Sequence, residues 1–116
     1  MIALPWPPPY LSPNARKHWA EKHRAFKNYK AQCMWAMLAH TKALKGKAVF
    51  TITFCPPDNH RRDRDNMIAA FKAGQDAIAA VTGVDDRHFV VTYRVGEPRQ
   101  HGAVLIEITD QAEAAA

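Results

Sequence analysis

Two aspartates, Asp63 and Asp65, stand one residue apart in a segment that is otherwise rich in arginine. Alternate residues of an extended chain point to the same side, so both carboxylates can face one point while Arg62 and Arg64 face away from it. Arginine suits phosphate, whereas carboxylates repel phosphate unless a cation lies between them. Mg²⁺ takes one or two protein carboxylates and completes its shell with water and phosphate oxygens. The segment predicts a divalent-metal site that acts on phosphate; the alternative is an exposed loop whose charges neutralise one another.

A second pair of carboxylates, Asp85 and Asp86, follows some twenty residues later. Six of the eleven acidic residues lie between Asp58 and Asp86, whereas the first fifty residues contain only Glu21. A surface of balanced charge would mix acidic and basic residues. This concentration of acid within a basic chain favours a localised site.

Composition limits the class of protein. A chain of 116 residues forms one domain, which we place at residues 1–109 with a frayed tail at 110–116. The net charge of +5 and the pI near 9.5 favour a polyanionic partner such as DNA. No apolar run is long enough to span a membrane, and no secretory signal opens the chain.

The cysteines and histidines predict neither a disulfide nor a zinc site. Cys33 and Cys55 fit no metal-binding or redox pattern and are expected to be buried free thiols, which indicates a reduced, cytoplasmic location. His18 and His23 are five residues apart, with no further histidine or cysteine at ligand spacing.

The first half of the chain predicts an edge strand, a proline-rich entry segment and a long helix. Residues 2–4 form the strand, Trp6 in the following proline run packs on the core, and Ser12 caps a helix with Pro13 at its first position. Residues 14–44 show helical spacing, with an apolar stripe of Trp19, Phe26, Cys33, Met37 and Leu44. The outer face is basic and carries a single acid, so it either contacts phosphate or is simply solvated.

The second half predicts one helix and three strands. The strands are residues 49–55, 89–95 and 103–109, and the helix is residues 66–80, capped by Asp65 or Asn66 and ended by Gly83. Residues 96–102 read as a hairpin loop, which would make the last two strands antiparallel neighbours. The order β-α-β-α-β-β predicts an α+β fold in which a mixed β-sheet packs against two helices.

Three blocks of sequence, in order, match a known family. They are Leu4-Pro5-Trp6-Pro7-Pro8 with Ser12-Pro13-Asn14, then Arg62-Asp63-Arg64-Asp65-Asn66, and finally Asp85-Asp86 ahead of a β-rich run. On these blocks the chain resembles the RusA-type Holliday junction resolvases over residues 4–109. They are small dimeric Mg²⁺-dependent crossover junction endodeoxyribonucleases, often carried by phages and prophages.

The resemblance implies a role for each matching residue. Asp63, Asp65 and Asp86 would bind Mg²⁺, with Mn²⁺ as a substitute, and Lys72 would be a further catalytic residue. In the family this lysine often lies four residues after the second aspartate, whereas Lys72 lies seven after Asp65. The alternative for Lys72 is an exposed ion pair with Asp76. Contacts to DNA would come from Arg62, Arg64, Arg16, Lys17, Lys27 and Lys30.

The resemblance also implies a homodimer that makes paired cuts in a four-way junction, and a nucleoid-associated location when it is bound to DNA. A helix over residues 66–80 carries the chain about 22 Å away from the first two aspartates. Asp86 can return only through a nearly extended link, after a shorter helix, or in the partner subunit's site. One or two metal ions both fit. The rival functions are a non-catalytic basic DNA-binding module and a phage accessory protein.

Overall fold

The structure, a computed structural model, describes residues 1–16, 18–39 and 48–110, without the side chains of Ala48, Asp86, Thr109 and Asp110. Its elements are β1 (Ile2–Leu4), α1 (Trp19–Leu38), β2 (Ala48–Cys55), α2 (Arg64–Ala70), α3 (Lys72–Thr82), β3 (Phe89–Val95) and β4 (Ala103–Asp110). Short 3₁₀ turns occupy Pro9–Leu11 and Asp86–His88. Within the described ranges no helix is long and apolar enough to cross a membrane.

The predicted α+β fold is confirmed. One mixed sheet has the strand order β1-β4-β2-β3, with β2 parallel to β3 and antiparallel to β4. The helices cover the face that carries Phe50, Ile52 and Phe54, which are all buried. β1 is an edge strand antiparallel to β4, as predicted. Cys33 and Cys55 are both buried free thiols, which is also as predicted.

The predicted hairpin between the last two strands is wrong, because β2 lies between β3 and β4. Residues 96–102 instead cross the end of β2. The Gly96 N–H donates to the Phe54 carbonyl at 2.8 Å, and the Arg99 N–H donates to the Pro56 carbonyl at 2.9 Å. A Cβ at position 96 would come within 3.0 Å of the Cys55 Sγ, so glycine allows this close crossing.

The predicted second helix is two helices. The chain breaks at Phe71 (φ −89°, ψ 5°), whose ring is fully buried and packs edge-on against Phe54 and Tyr29. A Cβ at Gly74 would come within 2.2 Å of the Phe71 ring, so a glycine is required where α3 passes this ring. Gly83 ends α3 in the left-handed conformation, as predicted.

Helix α1 differs from its prediction at its start and in its apolar stripe. It begins at Trp19 and is capped by His18, because Ser12 belongs to a local turn in which its Oγ accepts from the Asn14 N–H at 3.3 Å. The buried stripe is Tyr29, Cys33 and Met37. Trp19 is 73% exposed because it lies in the first turn, ahead of the part of α1 that packs on the core. The predicted residues Lys17 and Leu44 and the tail after 110 lie outside the described residues.

Candidate functional site

A cleft of about 430 Å³ lies where the proline-rich segment meets the residues that lead into α2. Trp6 follows β1, and its ring packs edge-on against Phe54 with the centroids 6.3 Å apart. Gly102 has a positive φ of 71°, and a Cβ there would come within 2.9 Å of Trp6. Arg62, Asp63 and Asn66 line the same cleft. The first two of the three motif blocks therefore meet at the end of the sheet where β2 finishes.

Arg62 connects these two blocks. Its guanidinium carbon lies over Trp6, 5.9 Å from the ring centroid. Its Nη1 donates to the Asp58 carboxylate at 2.7 Å and to the backbone carbonyls of Asp58 and His60 at 3.3 and 3.1 Å. The bond from Arg62, aided by one from the His60 N–H, lowers the pKa of Asp58 to about 2. Asp58 therefore stays ionised at neutral pH, and the guanidinium is held in place.

Asp63 and Asp65 lie together, but not in the extended segment that the sequence suggested. Asp63 is the N-cap of α2, and its Oδ1 accepts from the N–H groups of Asp65 and Asn66 at 2.8 and 3.4 Å. The prediction that Asp65 or Asn66 caps this helix is wrong because Asp63 meets the free N–H groups first. Asp65 is in the first helical turn, and both aspartates are exposed. Two carboxylates so close in the chain suit Mg²⁺.

The arginines on either side of Asp63 reach in different directions. Arg62 extends to Trp6, whereas the Arg64 Nη2 donates to the backbone carbonyl of Tyr93 in β3 at 2.8 Å. The Tyr93 hydroxyl accepts a hydrogen bond from the Gln75 amide, and its ring stacks on Phe54. Burial raises the pKa of Tyr93. Arg64 thus has a structural contact in addition to the DNA contact expected for it.

Lys72 begins α3 and forms an ion pair with Asp76, with 3.0 Å between Nζ and Oδ1. The lysine side chain is 52% exposed. The pairing that the sequence offered as the alternative to catalysis is therefore present.

Asp86 lies just ahead of β3, near the end of the sheet where β2 and β3 begin. It starts the 3₁₀ turn that leads into β3, and the first residue of β3, Phe89, is level with Ala48 at the start of β2. Trp6 and Arg62 lie instead beside Phe54, near the end of β2. Six residues of strand separate these levels, which is about 20 Å. Two oxygens on one Mg²⁺ are within about 4.2 Å of each other. This spacing is not the distance between the aspartates themselves, since Arg64, the neighbour of Asp63, reaches Tyr93 only four residues along β3 from Phe89. A same-chain site and a partner-subunit site both remain compatible with the sheet.

The described side chains contain no group of three or more histidine, cysteine, aspartate or glutamate residues able to hold a metal ion. That set does not include the Asp86 side chain. Asp63 and Asp65 alone would supply the one or two carboxylates that Mg²⁺ takes from a protein, with the rest of its shell left to water and substrate.

The other basic residues expected to contact DNA lie on α1 or just ahead of it. Arg16 and Lys27 are exposed and Lys30 is half-buried. A second cleft of about 540 Å³ runs between α1 and the proline-rich segment. Its lining includes Glu21, Arg24, Asn28 and Gln32 from α1, and Trp6 and Pro8 line both clefts.

Sequence reasoning missed Asp58 and Asn66 as members of this site. The spacing of Asp58 and Arg62, four residues apart with opposite charges, was a usable signal for their ion pair. Asn66 ended the second motif block and was considered as a helix cap, but no site role was assigned to it, and it is half-buried in the wall of the cleft.

Comparison with known proteins finds a relative of this chain. No family model matches the chain. A protein of Xylella fastidiosa (strain Temecula1 / ATCC 700964) with the description "Uncharacterized protein" is 39% identical over 116 residues. The alignment covers 93% of this chain and 74% of the Xylella protein. The chain belongs to the same family as this Xylella protein. The relationship supports a common fold for the two chains.

Proposed function

We propose that the protein is a metal-dependent endodeoxyribonuclease of the RusA type, which cuts four-way junctions and other branched DNA by paired phosphodiester hydrolysis. The observation that carries the proposal is the contact between Arg62 and Trp6. Two sequence blocks that lie more than fifty residues apart, and that both match the RusA pattern, line one cleft beside the aspartate pair. A chance match of short motifs gives no reason for the blocks to meet.

Asp63 and Asp65 would hold Mg²⁺, or Mn²⁺ in its place. The bound ion would supply Lewis acidity toward a phosphoryl oxygen and lower the pKa of an attacking water. Within the described part of the chain, every hydrogen bond of Arg62 is made by Nη1, so Nη2 and Nε keep their donors for a phosphate. Arginine binds phosphate best through such paired donors.

Lys72 would add positive charge near the reacting phosphate as negative charge develops there. To reach a phosphate, its ammonium group must leave Asp76 or be shared with it. An exposed i,i+4 pair is worth only about 0.3–0.5 kcal/mol, so this exchange costs little. Arg16, Lys27 and Lys30 would hold the DNA arms through their phosphates.

A homodimer is part of the proposal. Resolution of a four-way junction takes two symmetric cuts, which suits a C2 dimer. Asp86 precedes β3, at the end of the sheet away from Phe54. Of the three routes by which Asp86 could serve the metal, the proposal takes the partner subunit.

A non-catalytic DNA-binding module is the second candidate, and two observations favour it. Asp63 has a structural task as the cap of α2, and Lys72 has a structural partner in Asp76. Both residues are thereby explained without catalysis, and the basic face of α1 would still bind phosphate.

The test is incubation of the purified protein with a four-way junction and with a duplex of matched sequence, in Mg²⁺, Ca²⁺ or EDTA. The proposal expects nicking of the junction in Mg²⁺ alone, with binding but little cleavage in Ca²⁺, whose coordination is longer and looser. Junction binding without nicking in any metal would favour the non-catalytic module. Equal activity in EDTA would remove the metal from the mechanism.

A further inference from the structure

The cleft beside Asp63 combines an apolar wall with polar groups at its rim. Trp6, Pro8 and Met67 supply apolar surface, and Arg61 and Arg62 supply positive charge. Its volume of about 430 Å³ lies within the range of small-ligand sites, which is about 300–1,000 Å³. Metal binding at Asp63 and Asp65 needs no such cleft, so the cleft is a candidate site for a second group of the substrate.

Asn66 carries unused hydrogen-bonding groups into this cleft. Its backbone N–H donates to Asp63, but in the part of the chain that the structure describes its side-chain amide makes no hydrogen bond to protein. A half-buried amide needs partners, and a carboxamide has one acceptor and two donors that match the edge of a nucleobase. Ser12, on the opposite wall, has a hydroxyl proton to donate while its Oγ accepts from Asn14.

Arg62 and Trp6 add the other two parts of a nucleotide site. The guanidinium is fixed by Asp58 through Nη1, which leaves its second edge for a phosphate. Trp6 is half-buried, with its ring held between Phe54 and Gly102, so it gives a rigid aromatic surface at the cleft. Aromatic rings and arginine planes are the surfaces on which unpaired bases stack, whatever their sequence.

We propose that this cleft seats one unstacked nucleotide of the DNA strand, with its base against Trp6 and Asn66 and its phosphate on Arg62. The inference rests on the proposed function for its choice of DNA, and it adds the part of the substrate that the cleft accepts. A branch point supplies unstacked nucleotides where an intact duplex does not. The cleft would thereby favour branched DNA over duplex.

The experiment uses the emission of Trp6 as its readout. Trp19 and Trp35 are 73% and 77% exposed and are replaced by phenylalanine, which leaves Trp6 as the one tryptophan. In EDTA, so that no strand is cut, this protein is titrated with a short oligothymidylate and with an abasic strand of the same length. We expect the oligothymidylate to quench Trp6 and to bind about 10-fold more tightly than the abasic strand, as for one base stacked on an aromatic ring.

Arg62→Lys in the same background keeps the positive charge and removes the planar fork, and because both strands keep their phosphates we expect it to weaken the binding of both by about 2–3-fold. Arg94→Lys is the matched control, since Arg94 is an exposed residue of β3 outside the cleft, and it should keep the affinity for both strands. Equal responses to the two strands, no binding of either strand, or equal losses in the two arginine variants would each overturn the inference.

The proposed function fails separately. Base-dependent quenching without any nicking of junctions would support the nucleotide site and contradict the proposed nuclease. Nicking of junctions without any preference for bases would support the nuclease and contradict the nucleotide site.

Discussion

Asp86 should act in the active site of the partner subunit, and mixing two inactive variants tests this directly. The variants are Asp65→Asn, which removes a carboxylate beside the cleft, and Asp86→Asn, which removes one at the other end of the sheet. Each homodimer lacks one carboxylate at both of its sites, whichever subunit Asp86 serves. We expect each to nick junctions orders of magnitude more slowly than the parent.

The size of the rescue follows from the geometry. In the proposed dimer, an intact site takes Asp63 and Asp65 from one chain and Asp86 from the other. In a heterodimer of the two variants, one site takes Asp65→Asn from one chain and Asp86→Asn from the other, so it lacks two carboxylates. The other site takes only unchanged residues and is intact. Random exchange between equal amounts gives about half heterodimers, so about one quarter of the parent's sites are restored.

The assay unfolds and refolds the two variants together and measures nicking of a four-way junction. We expect about one quarter of the parent nicking rate, with single nicks instead of paired cuts. Asp63→Asn refolded with Asp65→Asn is the matched control, because no exchange of these two chains creates an intact site. A mixture of Asp65→Asn and Asp86→Asn that is no more active than this control would refute the shared-site geometry.

Three further results are expected. Tyr29→Phe removes the hydroxyl that donates to the Pro5 carbonyl at 2.6 Å, and it should lower the unfolding free energy by about 1 kcal/mol and the melting temperature by about 4 °C, measured by thermal denaturation. Lys72→Ala should reduce nicking at least about tenfold, whereas Asp76→Ala, which breaks the same ion pair but keeps the lysine, should retain nicking; equal effects would assign Lys72 a structural role. Burial raises the pKa of Cys33 from its ordinary 9.0 to about 11, so the unfolded state releases this proton first and the free energy of unfolding should fall as the pH rises from 9.0 to about 11. Denaturant titrations at several pH values should show a smaller fall for Cys33→Ala.

The strands were predicted from sequence because their signals are local. The structure places β2, β3 and β4 within one residue of the predicted bounds, since each is a run of β-branched and aromatic residues closed by proline or glycine. The pairing of β3 was not predictable in this way. A short link normally indicates a hairpin, but residues 96–102 bond to the end of β2 and carry the chain past it.

The helices show the same division between local and tertiary signals. Gly83 predicted the end of α3, whereas the break at Phe71 depends on a ring that is buried between Phe54 and Tyr29. At the candidate site, the sequence predicted Asp65 or Asn66 as the cap, but three good capping residues follow one another closely and only the folded chain selects Asp63. The contact between Arg62 and Trp6 joins residues far apart in sequence, which no spacing rule connects.

The central claim is that the aspartate pair binds a metal ion that the chain uses to cut DNA, and Asp65→Asn tests it most directly. Asparagine keeps the size of the side chain, and Asp63 still caps α2, so folding should be nearly unchanged. The measurement is the Mg²⁺-dependent nicking rate of a four-way junction at saturating protein, beside junction affinity in EDTA. We predict a fall in nicking by orders of magnitude, with affinity held or increased because one repulsion from the phosphates is removed. Nicking by Asp65→Asn at the parent rate would contradict the account.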